Sequence, residues 1–339
     1  GFVFDDWATG AETTFDLGAL GPSWELGLSA FYPSRDLPSD GQLGSALVAV
    51  RADWMPSLFE HVGVFAAWFR DRSNQVAEMF RGTIAEPSVV RLSRSKPGTA
   101  AYANESRLLV LQLDRALRGD ADVGWAGTSG SLALGRARLD FTGALCFGQL
   151  SVPAVTLVDL TASTFRTGAA YRTRAILGEL AHLRLAVPLG EAWRVGGFFV
   201  FLSGDDPPLE KARRGDTGPF GGFLGVSPFV TDTNVFFNGG VADSFAARQA
   251  TAPGVNGRGV VAPGLTLGWQ PARGFGVNAR AAYLLAPARG PFGGRVYGPE
   301  ADLELRWSPA RWLTLLAEGD ALFPGDFFPR RAPSTRVVV

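Results

Sequence analysis

Charged residues recur at alternate positions in two parts of the chain. Arg136, Arg138 and Asp140, followed by Arg172, Arg174 and Arg184, make a mainly basic group; Glu300, Asp302, Glu304, Arg306, Glu318 and Asp320 make a mainly acidic one, with Arg51, Asp53 and Arg280 interspersed. A period of two places such side chains on one face of a β-strand. The chemistry this offers is electrostatic. A basic wall facing an acidic wall sets a field across the space between them, which orders water and aligns dipolar or charged solutes. The same residues can instead pair across adjacent strands and solvate the wall, and both readings stand at this point.

Groups that break bonds are scarce. His61 and His182 lie far apart, without an obvious carboxylate or serine partner, so a catalytic triad has no support. Ser93-Arg-Ser-Lys96 fits the SxxK spacing but sits in a polar stretch without companion motifs. The single Cys146 excludes an internal disulfide framework and a cysteine-rich metal site. Asp205 and Asp206, with Asp216 and Asp232, are weak candidates for collecting a hard cation such as calcium; their spacing matches no calcium loop, and solvated loop carboxylates are the competing reading. There is no phosphate-binding glycine loop and no basic-aromatic stripe. With 32 basic residues against 32 acidic, no global field draws nucleic acid. The expectation is neither an enzyme nor a cofactor protein, with no nucleic-acid partner.

The elements that must position these charges are strands. Leu303, Leu305 and Trp307 alternate with Asp302, Glu304 and Arg306; Leu139, Phe141, Leu145 and Phe147 alternate with Arg138, Asp140 and Thr142; Val277, Ala279, Ala281 and Tyr283 alternate with Asn278 and Arg280. The spacing predicts strands near 12–19, 24–32, 43–54, 60–70, 106–116, 131–148, 170–187, 192–204, 258–270, 274–286, 298–307 and 312–323, with 117–130 ambiguous. Short connections alternate with long ones, the long stretches being 71–105, 149–168, 205–257 and 287–297, as in an up-and-down antiparallel sheet. No linker separates two cores, so residues 1–339 read as one domain.

No stretch approaches the roughly 18 to 20 apolar residues of a membrane helix. A strand-built membrane protein is a different matter. The apolar faces are Ala-, Gly- and Leu-rich, the polar faces carry several charges per strand, and aromatics bound the apolar stretches, with Trp54, Trp269, Trp307 and Trp312 at the short-turn end and Tyr283 toward the other. Amphipathic rings of this kind favour a lipid–water interface, and a closed barrel leaves no backbone donor unpaired in lipid. A phrase recurs at that end, WMPS at Trp54–Ser57, WQPAR at Trp269–Arg273 and WSPAR at Trp307–Arg311; it reads as an interface anchor followed by a proline-fixed tight turn.

RWSPARWLTL, LGWQPARGFGV and the run Phe199–Asp206 leading into a long Gly/Pro-rich loop resemble Gram-negative outer-membrane porins, loosely those of the alginate-export type. The resemblance implies a periplasmic rim at the short turns and an extracellular rim at the long loops. The fold expected is an all-β, transmembrane up-and-down antiparallel β-barrel of about 14 strands, with 12–13 visible in this chain; the first strand and most of a closing strand, which begins near Arg336, would lie outside it. The expected function is a passive channel for small hydrophilic solutes or an anionic polymer. The alternative is a structural barrel that anchors envelope components through its long loops. In the longest loop, Phe220, Phe223, Leu224 and Phe229 are too apolar for a free surface, and either a constriction or a partner contact would cover them. Membrane lipid and lipopolysaccharide are the partners implied, with other envelope proteins at the loops.

Overall fold

The computed structural model describes residues 8–18, 23–33, 45–57, 59–71, 88–92, 107–111, 120–159, 166–206, 218–225, 232–238, 254–290, 293–328 and 334–338. Thirteen strands form one sheet. They are β1 (Ala8–Asp16), β2 (Trp24–Pro33), β3 (Ser45–Ser57), β4 (Glu60–Asp71), β7 (Asp120–Leu134), β8 (Ala137–Asp159), β9 (Arg166–Leu189), β10 (Trp193–Leu202), β11 (Val260–Ala272), β12 (Phe275–Leu285), β13 (Val296–Ala310), β14 (Leu313–Leu322) and β15 (Ser334–Val338). Each pairs with the next in chain order, and every pairing is antiparallel. Between β4 and β7, β5 (Ser88–Leu92) and β6 (Arg107–Leu111) form a separate two-stranded sheet. No α-helix occurs among the described residues.

Two expectations are corrected. The strand expected at 106–116 is β6, outside the wall, and the ambiguous stretch 117–130 holds most of the wall strand β7. Its pattern was hidden because its outward positions are small: Gly124, Ala126, Thr128 and Gly130. A side chain there would meet aromatic rings of the neighbouring strands. A Cβ on Gly124 would stand 2.6 Å from the Phe147 ring and 3.0 Å from Trp68, and one on Gly130 would stand 2.7 Å from Phe141. The expected strand 131–148 is accordingly divided by a turn at Gly135–Arg136, with Gly135 at φ 65° where glycine is favoured. The second correction concerns 149–168. Most of this stretch is not loop: β8 and β9 pair as far as Asp159 and Arg166, and only 160–165 lies between them.

The recurring Trp–Pro phrase is a bulge and not a turn. Trp54 pairs with Val62 and Ser57 with Glu60; Trp269 with Val277 and Ala272 with Phe275; Trp307 with Leu315 and Ala310 with Leu313. In each case one strand takes an extra residue, and Pro56, Pro271 or Pro309 occupies the interruption, where a missing N–H costs no ladder bond. The residue after each Trp keeps its donor employed: the amides of Met55, Gln270 and Ser308 donate to Ser23 O, Ala192 O and Gly274 O at 2.7, 2.7 and 2.6 Å. The phrase therefore stitches the rim to the strand on the other side.

Which face meets lipid follows from exposure. Leu303 and Leu305 are 46% and 40% exposed, and Leu145, Phe147, Leu183, Leu265 and Leu315 are exposed with them. The apolar residues predicted to face outward do so. At the short-turn end Trp54, Trp269 and Trp307 stand exposed in line, joined by Trp24, register partner of Trp54, and by Trp193, which stacks on Trp269 with ring centroids 5.6 Å apart. Trp312, in the last short turn, is 85% exposed, and Tyr283 bounds the apolar band at the other end. Exposed aromatic rings of this kind favour a lipid–water interface.

Candidate functional site: the lumen

The inner face divides by height. Toward the short turns it is ionic. Toward the long-loop end it is apolar and dry: Leu47 and Phe69, Val123 and Trp125, Cys146 and Leu150, Ile176 and Leu180, Phe198, Val200 and Leu202, Val260 and Ala262, and Leu284 and Leu322 are all buried. A strand wall with lipid outside can bury its inner face only if something fills the space within. The described parts of the 203–259 connection do this, with Phe220, Phe223, Leu224, Val235 and Phe236 wholly or nearly inaccessible.

One end of the loop is built onto β9. That strand runs past the end of β10, leaving an unpaired edge, and Phe220 occupies it: its N–H donates to Ala175 O at 2.8 Å and its carbonyl accepts from Leu177 N at 2.9 Å. Arg174 Nη1 donates to Gly218 O at 2.9 Å. Gly178 admits the loop, since a Cβ there would stand 2.6 Å from the Gly222 carbonyl and from Phe223 Cα. From β7, two strands away along the wall, Trp125 Nε1 donates to Leu224 O at 2.7 Å.

Further along, the loop spans from the basic strands to the acidic ones. Asp232 accepts from His182 Nε2 at 2.9 Å and lies 3.4 Å from Arg184 Nη1. Burial works to raise the Asp232 carboxyl, but the His182 hydrogen bond, with Arg184, His182 and Arg280 nearby, outweighs it and holds the group below its ordinary value. Two residues later a single π-helical turn, Asn234–Asn238, presents its first amides to the acidic wall. Val235 N and Phe236 N donate to the two oxygens of Glu300 at 2.6 and 2.9 Å, and Asn234 N donates to Asp302 Oδ2 at 3.3 Å. Asn234 Nδ2 bridges Glu318 Oε1 and Asp320 Oδ1 at 2.5 and 3.2 Å, and Asn234 Oδ1 faces Arg280 Nη1 at 3.5 Å. Asp302 and Asp320 are direct register partners, so like charges oppose each other across the ladder and the donors of the loop lie between them.

A second anchor comes from a bulge. Gly298, at φ 130°, interrupts β13 and turns Tyr297 inward. The Tyr297 hydroxyl donates to Gly259 O at 3.0 Å and accepts from Val255 N at 3.2 Å. Asp206 forms an ion pair with buried Arg258, and Asp205 accepts from Gly221 N at 2.7 Å. The two aspartates proposed as weak cation ligands thus tie down the loop.

The predicted charges are distributed as follows. Arg51, Asp53, Arg138, Asp140, Arg184, Arg280, Glu300, Asp302, Glu304, Arg306, Glu318 and Asp320 occupy inner-face positions. Arg136 stands in a short turn and not on the wall. Arg172 and Arg174 lie on the part of β9 that extends past β10. Much of the basic group is neutralised locally, Arg138 by Asp140 at 2.9 Å and Arg184 by Asp232. Phe220, Phe223 and Leu224 are in the inward loop, and Phe229 lies outside the described residues. The sequence reasoning missed the carboxylate partner of His182, which comes from 50 residues away; no local signal marks it. It also missed Tyr297, hidden by the parity shift at Gly298.

Among the described residues, two of the cavities bear on the lumen. One, of about 560 Å³, sits at the short-turn rim between β9 and β13, lined by Arg194, Asn278, Glu304 and Arg306. The other, of about 690 Å³, lies against β1–β4 and includes Glu12, Glu25, Arg51 and Asp53.

No protein-family profile matches the sequence, and no curated protein is similar to it. Among solved structures the chain is similar to the siderophore receptor PirA from Acinetobacter baumannii, with TM-score 0.47, 7% identity, and 93% of this chain covering 40% of that one. It is similar also to the P. putida toluene transporter TodX, with TM-score 0.30, 11% identity, and 92% of this chain covering 75% of that one. OmpT of Vibrio cholerae gives a TM-score of 0.27 and 10% identity over 98% of this chain and 91% of that one. Values this low decide nothing about this chain. The geometry of the wall does. An up-and-down antiparallel sheet with an exposed apolar face, exposed tryptophans at its short-turn end and a loop-filled interior that is ionic toward those turns is what a transmembrane strand wall requires. The chain has the fold of a transmembrane up-and-down antiparallel β-barrel.

Proposed function

We propose that the protein is a passive outer-membrane channel for small hydrophilic solutes, with the inward loop segments 218–225 and 232–238 as its constriction and no reaction of its own. The observation that carries this reading is the loop itself. It is held across one side of the lumen by Asp232 on β9 and by Asn234–Phe236 on β13 and β14, while a cavity of about 690 Å³ remains along β1–β4. A loop folded inward narrows a lumen without closing all of it. An anionic polymer as cargo has less support than the basic group first implied, because Arg138, Arg174 and Arg184 are already engaged. Membrane lipid and lipopolysaccharide pack against the outward apolar face in this reading. Planar-bilayer recording with the purified protein tests it: stepwise ion current is expected, and silence at every voltage refutes it.

The dry upper lumen favours a second reading, in which the barrel anchors other envelope components through its long loops. Stable envelope proteins co-purifying from mild detergent, together with a silent bilayer, would select it.

A further inference from the structure

The cavity against β1–β4 grades from an ionic floor to an apolar ceiling. Near the short-turn end stand Glu25 and Asp53, next Arg51 with its register partner Phe65, then Glu12, and toward the long-loop end Phe31 and Leu47. The described polar contacts of the loop with the wall fall on β7, β9 and β12–β14, the other side of the wall. The floor has its own construction. Arg51 crosses β2 over Gly27, where a Cβ would stand 2.7 Å from Nε, and so reaches Glu12 at 3.4 Å while lying 3.5 Å from Asp53. Asp53 sits over Gly63, and Glu25 is its direct register partner across the ladder. Arg51 therefore pairs with both Glu12 and Asp53, while Glu25 stands between Asp53 and Asp16 in the ladder with no arginine shown against it, so carboxylates outnumber guanidinium groups in the described floor.

We propose that this cavity is the solute site of the channel and that it selects amphipathic cations: organic ammonium ions carrying a short apolar chain. The charge would meet Glu25 and Asp53, and the chain would lie against Phe31, Leu47 and Phe65. The volume is in the range of small-molecule sites, roughly 300–1,000 Å³, and the combination of apolar lining with a few converging charges is the usual recognition pattern. This inference rests on the channel reading and reverses the selectivity that the arginine count alone implies.

Two measurements test it. In planar bilayers under a KCl gradient the protein should prefer potassium over chloride several-fold at 10 mM salt. That preference should fade toward unity at 1 M, as the screening length contracts from about 30 Å to about 3 Å. Glu25→Gln combined with Asp53→Asn should abolish the preference at 10 mM, whereas Glu191→Gln, in a short turn, should leave it. Block of the current by alkylammonium ions should strengthen about fourfold per added methylene from butyl to hexyl, the full-burial value of a CH₂, and hexan-1-ol at equal concentration should not block. A chloride preference, or equal block by hexanol, overturns the proposal while leaving the channel reading intact. Calorimetric titration of the detergent-solubilised protein with hexylammonium decides it even if no current flows. Binding should weaken at least tenfold in the double variant, provided that its heat-dependent electrophoretic shift shows a folded barrel. No binding by the unmodified protein overturns the site.

Discussion

Replacing Glu300 by alanine is the sharpest test of how the loop is held. The carboxylate is 2% exposed and accepts from Val235 N at 2.6 Å and Phe236 N at 2.9 Å. Each bond to a charged acceptor contributes about 1.5–3 kcal/mol, and stranding a buried amide costs about 1–3 kcal/mol. Relief of repulsion with Asp302 and Asp320 works the other way, but those groups retain Asn234 as donor and the two amides would have no replacement. A net loss of about 3 kcal/mol in docking follows, roughly a 150-fold change in the docked-to-released ratio at 1.4 kcal/mol per tenfold. The ladder bonds of the wall are not touched, so the electrophoretic signature of the folded barrel should persist. Chymotrypsin cleaves after Phe220, Phe223 and Phe236, all buried while the loop is docked. Where reclosure is faster than cleavage, the rate follows the released population, so cleavage should accelerate about 100-fold and unitary conductance should rise. Glu300→Gln, which keeps one acceptor oxygen, should show about half the free-energy effect. A Glu300→Ala protein as protease-resistant and as conductive as the original would refute the assignment of Glu300 as the anchor.

Asp232 titrates below its ordinary value of 3.8, so its support for docking is complete at neutral pH and is lost as pH falls from about that value through the lower folded one; protease protection followed from pH 5 to pH 2 should decline, and Asp232→Asn should be unprotected to the same degree throughout. Leu265 is 70% exposed in mid-strand, and Leu265→Arg should destabilise the barrel in urea by about 2–4 kcal/mol, whereas Thr266→Arg on the inner face should cost far less; equal costs would mean that the faces are assigned wrongly. Gly178→Val should push the loop off β9 and raise conductance with the wall intact, because its Cβ would fall on the loop backbone. Gly298→Ala should lower the urea midpoint of the whole barrel, since its Cβ would stand 1.9 Å from Phe323 O at a φ that L side chains avoid; an unchanged midpoint would remove the bulge from the account of Tyr297.

The wall was legible because its physics is local. Alternation of apolar and charged residues records which side of a strand meets oil, and each strand carries that record unaided, as Leu303 and Leu305 against Asp302 and Glu304 do. The one wall strand left unread, β7, is the one whose outward residues are small because Trp68, Phe141 and Phe147 of neighbouring strands cover them. Its hydrophobic signal was written on other strands. The Trp–Pro phrase was recognised as a unit, yet its role as a bulge depended on register, which involves two strands at once.

Strand faces, the aromatic belt and the short-long alternation of connections thus came from the amino-acid order alone, since each depends on neighbours one to ten residues away. The fate of the charges did not. Whether Arg184 and Glu300 would face open water or be consumed by a loop was decided only when residues 232–236, some 50 to 65 positions from their partners, were brought between β9 and β13. Electrostatic pairing across a lumen depends on distances of 3 to 4 Å that no periodicity encodes, and so the field inside the barrel is a property of the folded structure.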